Sequence, residues 1–514
     1  MNITINSYDK KHINYKPQFK GVLDGALTSV LRTLDTNEVA NAALLDLGTM
    51  VGPRTYFDAK DRNKYAGGET FVREICGTGI NCFAAGVLGG LIANIASKKV
   101  MPDVKINPKS WYSEDSLNVL KNIWDNSDNN IQKYVTNLFD LMEGKDGQIK
   151  RNFKDIKWND VEWIDEARWN KYQWDNKYFV NIHNNLKSRD EIIDAFAGII
   201  KDKNISKRDK KQIFTILESR ITNALRVNRD LELNIGNYKL NTTLTNIIRD
   251  SYDMGKDVFA NAGVDISKTI AKIRKVNNIK IFGALSLASL IGISVQKINR
   301  KITEKRTGKK GFVGEADYLT KNNNTEDKKR PFDKKFFAKK ILASVGMIAM
   351  LLGVMKVKNP KDFVKKLQFT GPVSTGNAIK TVYGATIVGR FLAADSENEL
   401  RESVVRDYFG FLNWLVLGGF ASKGVANILD RKQKYLFNIK KEGKGIGHWL
   451  NDVSLKTHAE IAAHGKEFAK KNLWKLNLSH IAGLGYSTVM LGIFLPKINI
   501  WMTNHNYKSR NVNK

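Results

Sequence analysis

ICGTGINCFAAGVLGGLIANIAS, residues 75–97, runs for twenty-three residues without a charged side chain. A helix needs about 20 predominantly apolar residues to cross the hydrocarbon core of a bilayer, so this stretch is long enough to span. Four more uncharged runs follow: IFGALSLASLIGISVQ (281–296), ILASVGMIAMLLGVM (341–355), YFGFLNWLVLGGFAS (408–422) and LNLSHIAGLGYSTVMLGIFLP (476–496). Only the last matches the first in length. The middle three lengthen if flanking lysines reach back to the headgroups. Phe336 to Val357 then forms one span, with Lys339, Lys340 and Lys356 snorkelling. Short apolar runs also serve as core helices of large soluble proteins, which is the competing reading. A further run, AIKTVYGATIVGRFLAA (378–394), reads as a short or re-entrant element.

Small residues recur at four-residue spacing inside these runs: Gly86, Gly90 and Asn94; Ala284, Ala288 and Gly292; Ser479, Gly483 and Ser487. Residues four apart share a helix face, and small ones let backbones approach where lipid gives no hydrophobic drive to associate. The expected fold class is all-α: a polytopic membrane helix bundle of about five spans with a large helical insert. The expected organisation is an N-terminal interfacial segment (1–74), a first span (75–97), the insert (98–275) and the rest of the bundle (276–514).

Composition fits an ordered chain. Of 514 residues, 42% are hydrophobic and only 8 are proline, enough for a large core. Cys76 and Cys82 sit six apart in one apolar run, on different helix faces, and read as small apolar residues rather than a redox or metal pair. No cofactor is indicated.

The net charge of +31 invites a nucleic-acid reading, so its location matters. Residues 101–275 hold 30 basic and 26 acidic residues, so almost all of the excess lies outside them, between the uncharged runs. That is the pattern of membrane-flanking loops meeting anionic lipid headgroups, and it sets the nucleic-acid reading aside. The loops 297–340, 356–407 and 423–475 carry +9, +3 and +7, an alternation that places the first and third in the cytoplasm. MNITINSYDKKHINYKPQFKG has no apolar h-region, so insertion is expected through the internal spans. The expected location is a bacterial inner membrane, with the chain crossing several times.

Just before the first run lies VGPRTYFDAKDRNKYAGGETFVRE (51–74). Upstream, LDTNEVANAALLDLGTMV reads as a helix opened by an Asp35–Glu38 capping box and closed at Gly52, with Pro53 starting the next turn. Arg54 with Asp58, and Glu69 with Arg73, are then i,i+4 partners, and Gly67-Gly68 permits a bend. Read functionally, Arg54, Asp58, Arg62, Glu69 and Arg73 form a polar site for a lipid phosphate or anionic solute; the alternative is interfacial salt bridges and caps. Asp46 inside an apolar helix needs a partner, for which Arg54 or Arg73 would serve. No metal-spaced histidine pair, nucleophile elbow or phosphate-binding glycine loop accompanies them, and no catalytic residue is nominated.

The segments LDTNEVANAALLDLGTMVGPRT, AGGETFVRE and KPQFKG resemble uncharacterised membrane proteins of the Melainabacteria, a gut lineage related to cyanobacteria. The resemblance covers about the first hundred residues and implies no activity, fold or site residue.

Within the insert, KDGQIKR (145–151) and KDKNISK (201–207) share Lys-Asp-x-x-Ile between amphipathic segments, like a degenerate pair of EF-hands. The alternating carboxylates and twelfth-position glutamate that bind calcium are absent, which leaves helix-loop-helix packing. Trp158, Trp163, Trp169, Trp174 and Tyr178 read by default as core packing, with a candidate aromatic surface for a sugar or a peptide partner, or an interfacial belt against headgroups, as the alternatives. The run from Ser206 to Asp230 has a helical apolar stripe. Glu460, His464 and Glu467 share a helix face but read as polar surface, and no metal is expected.

Two function classes stay open. One is a membrane-anchored interaction or scaffold protein that presents 101–275. The other is a transporter or a lipid-binding or lipid-modifying protein that uses residues 51–74 and Asp46. A soluble basic protein binding acidic partners comes third.

Overall fold

The computed structural model describes residues 27–28, 30–31, 34, 38–104, 106, 114–143, 189–202, 204–206, 214, 232–235, 238–261, 263–315, 317–320, 333–367, 376–439, 443–462 and 466–512. Asp35, KDGQIKR, the aromatic series Trp158 to Tyr178, most of the stripe after Ser206, and His464 lie outside them.

The described residues are all-α apart from two short antiparallel ribbons. Helix α1 (Glu38–Leu45) runs through a π-helical turn (Asp46–Val51) straight into α2 (Gly52–Asp61). The expected break at Gly52 is absent, because Val51 and Gly52 both keep right-handed helical angles and Pro53 sits where a helix tolerates it. Asn63 then caps α3 (Lys64–Gly79) by accepting from the N–H groups of Tyr65 and Ala66. Gly67 and Gly68 lie inside α3 and make no bend. Gly67 instead faces α2, where a Cβ would come within 2.5 Å of that of Ala59, so the glycine sets how closely α2 and α3 pack.

A second π-helical turn (Ile80–Ala84) joins α3 to α4 (Ala85–Val100). Lys64–Val100 is one of four helices long and apolar enough to cross a membrane among the described residues; the others are Ile266–Thr307, Lys334–Val354 and Glu467–His505. Only 17–39% of each apolar window is buried within the protein. Phe83, Val87, Leu91 and Ile95 on Lys64–Val100, and Leu342, Val345 and Ile348 on Lys334–Val354, point outward. A soluble protein's surface helix turns its polar face outward, so these are not core helices of that kind.

The next elements build the insert: α5 (Glu114–Asp125), α6 (Ile131–Glu143), α7 (Arg189–Lys201), the ribbon β1 (Glu232–Ile235) and β2 (Tyr238–Thr243), and α8 (Leu244–Met254) with a π-helical turn (Gly255–Phe259). Their shared core includes Leu117, Tyr134, Phe139, Phe196, Ile200 and Ile247, and it continues onto Ala96 and Ile273 of the two helices that flank it. Trp124 stacks on Phe259 at 4.9 Å, and Tyr134 meets Phe259 edge-on.

The chain returns through α9 (Ile266–Thr307), capped by Asp265, and continues with α10 (Lys334–Val354), α11 (Pro360–Lys366), α12 (Gly376–Ala393) and α13 (Glu397–Leu412). A π-helical turn (Asn413–Leu417) carries α13 into α14 (Gly418–Leu429). The ribbon β3 (Phe437–Ile439) and β4 (Val453–Leu455) brackets α15 (Ile446–Asn451); α16 (His458–Ala462) follows. Then α17 (Lys466–Ser487), a π-helical turn (Thr488–Phe494) and α18 (Leu495–Val512) complete the chain.

Helix α12, the expected re-entrant element, is the central post. It is buried on nearly every side against α9, α10 and the turn Ile80–Ala84. The fourth apolar run, 408–422, lies in the continuous helix 397–429, which is not among the four candidate spans.

Two of the three small-residue faces are contact faces. Ala284, Ala288 and Gly292 are buried, and a Cβ on Gly292 would collide with Thr386. Gly483 meets Ser422 and the Gly418 carbonyl, and Gly418 in turn meets Ser487. On α4 the stripe is shifted: Ala85, Gly86, Gly89 and Ala93 are buried, while Gly90 and Asn94 are half-buried. The cause is the 3.6-residue turn, in which alternating steps of three and four follow one face while repeated steps of four drift off it.

Candidate functional site

Charged residues from α2, α3, α9, α12 and α13 meet inside one end of the bundle. At the rim, Arg62 closes α2 and makes a bidentate pair with Glu402, Nη1 to Oε1 at 3.0 Å and Nη2 to Oε2 at 2.8 Å. Its Nε lies 3.4 Å from Asp58. Burial disfavours charge on Arg62, but Glu402 and Asp58 outweigh it and hold the guanidinium above its ordinary value. Glu402 also accepts from Thr503 at 3.0 Å. Arg300 of α9 pairs with Asp395 and Glu399 beside it.

One turn further in, Asp58 accepts from Thr70 at 2.5 Å, and Thr70 accepts from Arg73 at 3.0 Å. Glu74 is held by Arg54 and Arg73, both at 3.3 Å. Arg54 Nε donates to the carbonyl of Leu491 at 3.0 Å, inside the π-helical turn before α18. Asp407 receives Arg390 and Arg406, each at 3.1 Å. Deepest of all, Asp46 shares a hydrogen bond with Thr78. From Thr70 to Thr78 the network descends about 12 Å at 1.5 Å per residue.

Sequence reasoning therefore brings the right residues to one place with the wrong partners. Arg54, Asp58, Arg62, Glu69, Arg73 and Asp46 all belong to the cluster. Arg54 pairs with Glu74 rather than Asp58, because α2 lays it across α3 instead of along its own axis. Asp46 meets Thr78 rather than forming an ion pair with an arginine. Arg73 turns to Glu74 and Thr70. The partners from α12 and α13, namely Arg390, Glu399, Glu402, Arg406 and Asp407, were missed. Their signal was available: Glu399, Glu402 and Arg406 recur at three and four residues, one helix face, immediately before an apolar run.

The inner cluster is rich in guanidinium. Arg62 shares Glu402 with Arg406, which lies 3.9 Å from it. The arginines Arg54, Arg73, Arg390 and Arg406 surround the carboxylates Glu74 and Asp407. All six are buried, and Arg54 Nη2 has no hydrogen-bond partner. Arg73 borders three small cavities. One of about 20 Å³ is also lined by Asp58, Arg62, Glu402 and Arg406. One of about 10 Å³ adjoins Gln296, Thr386 and Arg390, and another of about 10 Å³ adjoins Arg54, Arg406 and Asn499. Each has room for about one water.

No family model, curated protein or solved structure matches the chain.

Gly77 makes part of this space. A Cβ there would stand 3.7 Å from Arg390 Nη2, an ordinary van der Waals contact, so Gly77 borders that guanidinium without a larger residue being excluded by it. Among the described residues, no group of three His, Cys, Asp or Glu side chains is placed to hold a metal ion. Cys76 and Cys82 are free thiols, and Cys82 is buried in the bundle core.

Proposed function

We propose that this chain is a multi-pass protein of a bacterial inner membrane whose working part is the inner arginine cluster, closed here around water-sized cavities and a site for an anionic group such as a phosphate once its helices part. That places it with transporters and lipid-binding or lipid-modifying proteins rather than with scaffolds that present 101–275 to a partner. The observation that carries the reading is the convergence of Arg54, Arg73, Arg390 and Arg406 in one buried cluster in which Arg54 Nη2 has no hydrogen-bond partner. A buried donor is costly unless it is hydrogen-bonded, so the open edge of Arg54 calls for an acceptor. Arginine also suits the task, because its planar fork matches phosphate and carboxylate oxygens.

The position of the cluster supports this reading. From Ile75 to Ser97 the uncharged helix is about 34 Å long, close to a hydrocarbon thickness. The cluster thus sits where that apolar length begins, at headgroup depth, and reaches inward to Asp46 and Thr78. Trp501, 65% exposed at the same end, is placed like an interfacial anchor. Lysines also flank the apolar helices, Lys98 and Lys99 at the end of Lys64–Val100, Lys305 at the end of Ile266–Thr307, and Lys334 and Lys335 at the start of Lys334–Val354, positions that attract anionic headgroups.

Two measurements test the reading. Membranes from cells expressing the chain, extracted with alkaline carbonate, should retain it in the pellet until detergent is added; release without aggregation would overturn the membrane placement. Native mass spectrometry after purification from mixed-lipid membranes should show bound phosphatidylglycerol, or bound inorganic phosphate when that is supplied, lost in Arg54→Ala and Arg390→Ala. Equal retention by wild type and both variants would remove the arginine cluster as the site.

A further inference from the structure

Asp46 is the first residue of the π-helical turn between α1 and α2, is 5% exposed, and ends the polar network. Oδ2 shares a hydrogen bond with Thr78 Oγ1, while Oδ1 is buried with no partner. Thr78 Oγ1 also lies 2.9 Å from the carbonyl of Glu74, four residues back on the same helix. A hydroxyl has one proton to give. If Thr78 gives it to the Glu74 carbonyl, Thr78 can only accept from Asp46, and the proton of that bond sits on the carboxyl. The other arrangement leaves an ionised carboxylate with a bare oxygen in a buried site, the costlier of the two.

Four charged or titratable groups face Asp46 from the elements around it: Glu74 on α3, Arg54 on α2, Arg390 on α12, and Cys82 in the turn Ile80–Ala84. Glu74 favours the protonated form and the two arginines favour the ionised one. Those same two arginines belong to the site proposed for an anion. We propose that Asp46 is a proton-carrying group linked to anion binding. At a pH high enough to ionise Asp46, an anion engaging Arg54 and Arg390 offsets their positive field there, and the carboxylate takes one proton from solvent to return to the acid; departure of the anion releases that proton. By reciprocity, the anion binds more tightly as pH falls. This inference rests on the arginine cluster being an anion site.

Infrared difference spectroscopy of the full chain in phosphatidylcholine vesicles tests it. The spectrum at mildly acid pH should contain a carboxylic-acid carbonyl band that Asp46→Asn removes. Thr78→Val, which keeps the carboxyl but takes away its hydrogen-bond partner, should move the band instead, so the assignment survives if Asp46→Asn fails to fold. At mildly alkaline pH the band should weaken and then recover on adding an anion. Recovery with inorganic phosphate identifies a free anion, and recovery only when phosphatidylglycerol is built into the vesicles identifies a headgroup. No band assignable to Asp46, or a band that neither probe changes while mass spectrometry shows phosphate or lipid bound, overturns the proton link and leaves the anion site standing. A band unchanged with nothing bound overturns both.

Discussion

Arg62 and Glu402 are 340 residues apart and form a bidentate ion pair that joins the end of α2 to the middle of α13. Both side chains are about 5–6% exposed. Breaking a buried pair by removing one partner typically costs about 3–5 kcal/mol, because the survivor is stranded, whereas replacing both with apolar groups costs less. Glu402→Leu should therefore lower the melting temperature in detergent sharply. Arg62→Met combined with Glu402→Leu should recover part of the loss. A double variant no better than the single would mean that the pair does not act as a unit.

Arg54 has a different profile. Its Nη1 and Nε are engaged by Glu74 and the Leu491 carbonyl, but Nη2 is unpartnered, and Glu74 keeps Arg73 if Arg54 is lost. Arg54→Ala should cost less stability than Glu402→Leu while weakening phosphate or headgroup binding about 10- to 100-fold, as expected for one charge-assisted hydrogen bond of about 1.5–3 kcal/mol. Binding measured beside the thermal melt separates the two effects. A melt as depressed as that of Glu402→Leu, with binding intact, would make Arg54 structural.

Packing of α14 on α17 gives a prediction in which position alone differs. A Cβ at Gly483 would collide with Ser422 and the Gly418 carbonyl, while one at Gly485 meets nothing within 4 Å. Gly483→Ala should destabilise by about 1–3 kcal/mol through overpacking. Gly485→Ala should be neutral or slightly stabilising, since alanine favours a helix. Equal effects at both positions would contradict this helix contact.

The helical class and the apolar helices were legible because both depend on local pattern: charge-free length and periodic small residues. Residues 51–74 were also legible as a polar site, since their charges cluster in sequence. Their partners were not. Glu74 binds Arg54 across two antiparallel helices, and Glu402 reaches Arg62 from far along the chain. A spacing argument ranks neighbours on one helix, which is why it paired Arg54 with Asp58. The π-helical turns were equally hidden, because each adds one residue to a turn without a composition of its own.

A pH dependence should come from the insert, outside the membrane-crossing helices. Asp250 on α8 is buried, its Oδ2 has no hydrogen-bond partner, and Asp253 lies nearby. Burial, then the charge of Asp253, push its carboxyl well above the usual carboxylate range, against the opposing charges of Arg249 and Lys280. The folded state then holds a proton that the unfolded chain releases near pH 4. Between that point and the folded value the native state binds more protons, so its stability falls as pH rises, by up to about 1.4 kcal/mol per pH unit from this group. Asp250→Asn removes the titration and should flatten that slope, gaining most over wild type at neutral pH and least in acid. Thermal melts of both proteins across that pH range test it. A stability difference that does not change with pH would show that Asp250 is already ionised in the folded protein.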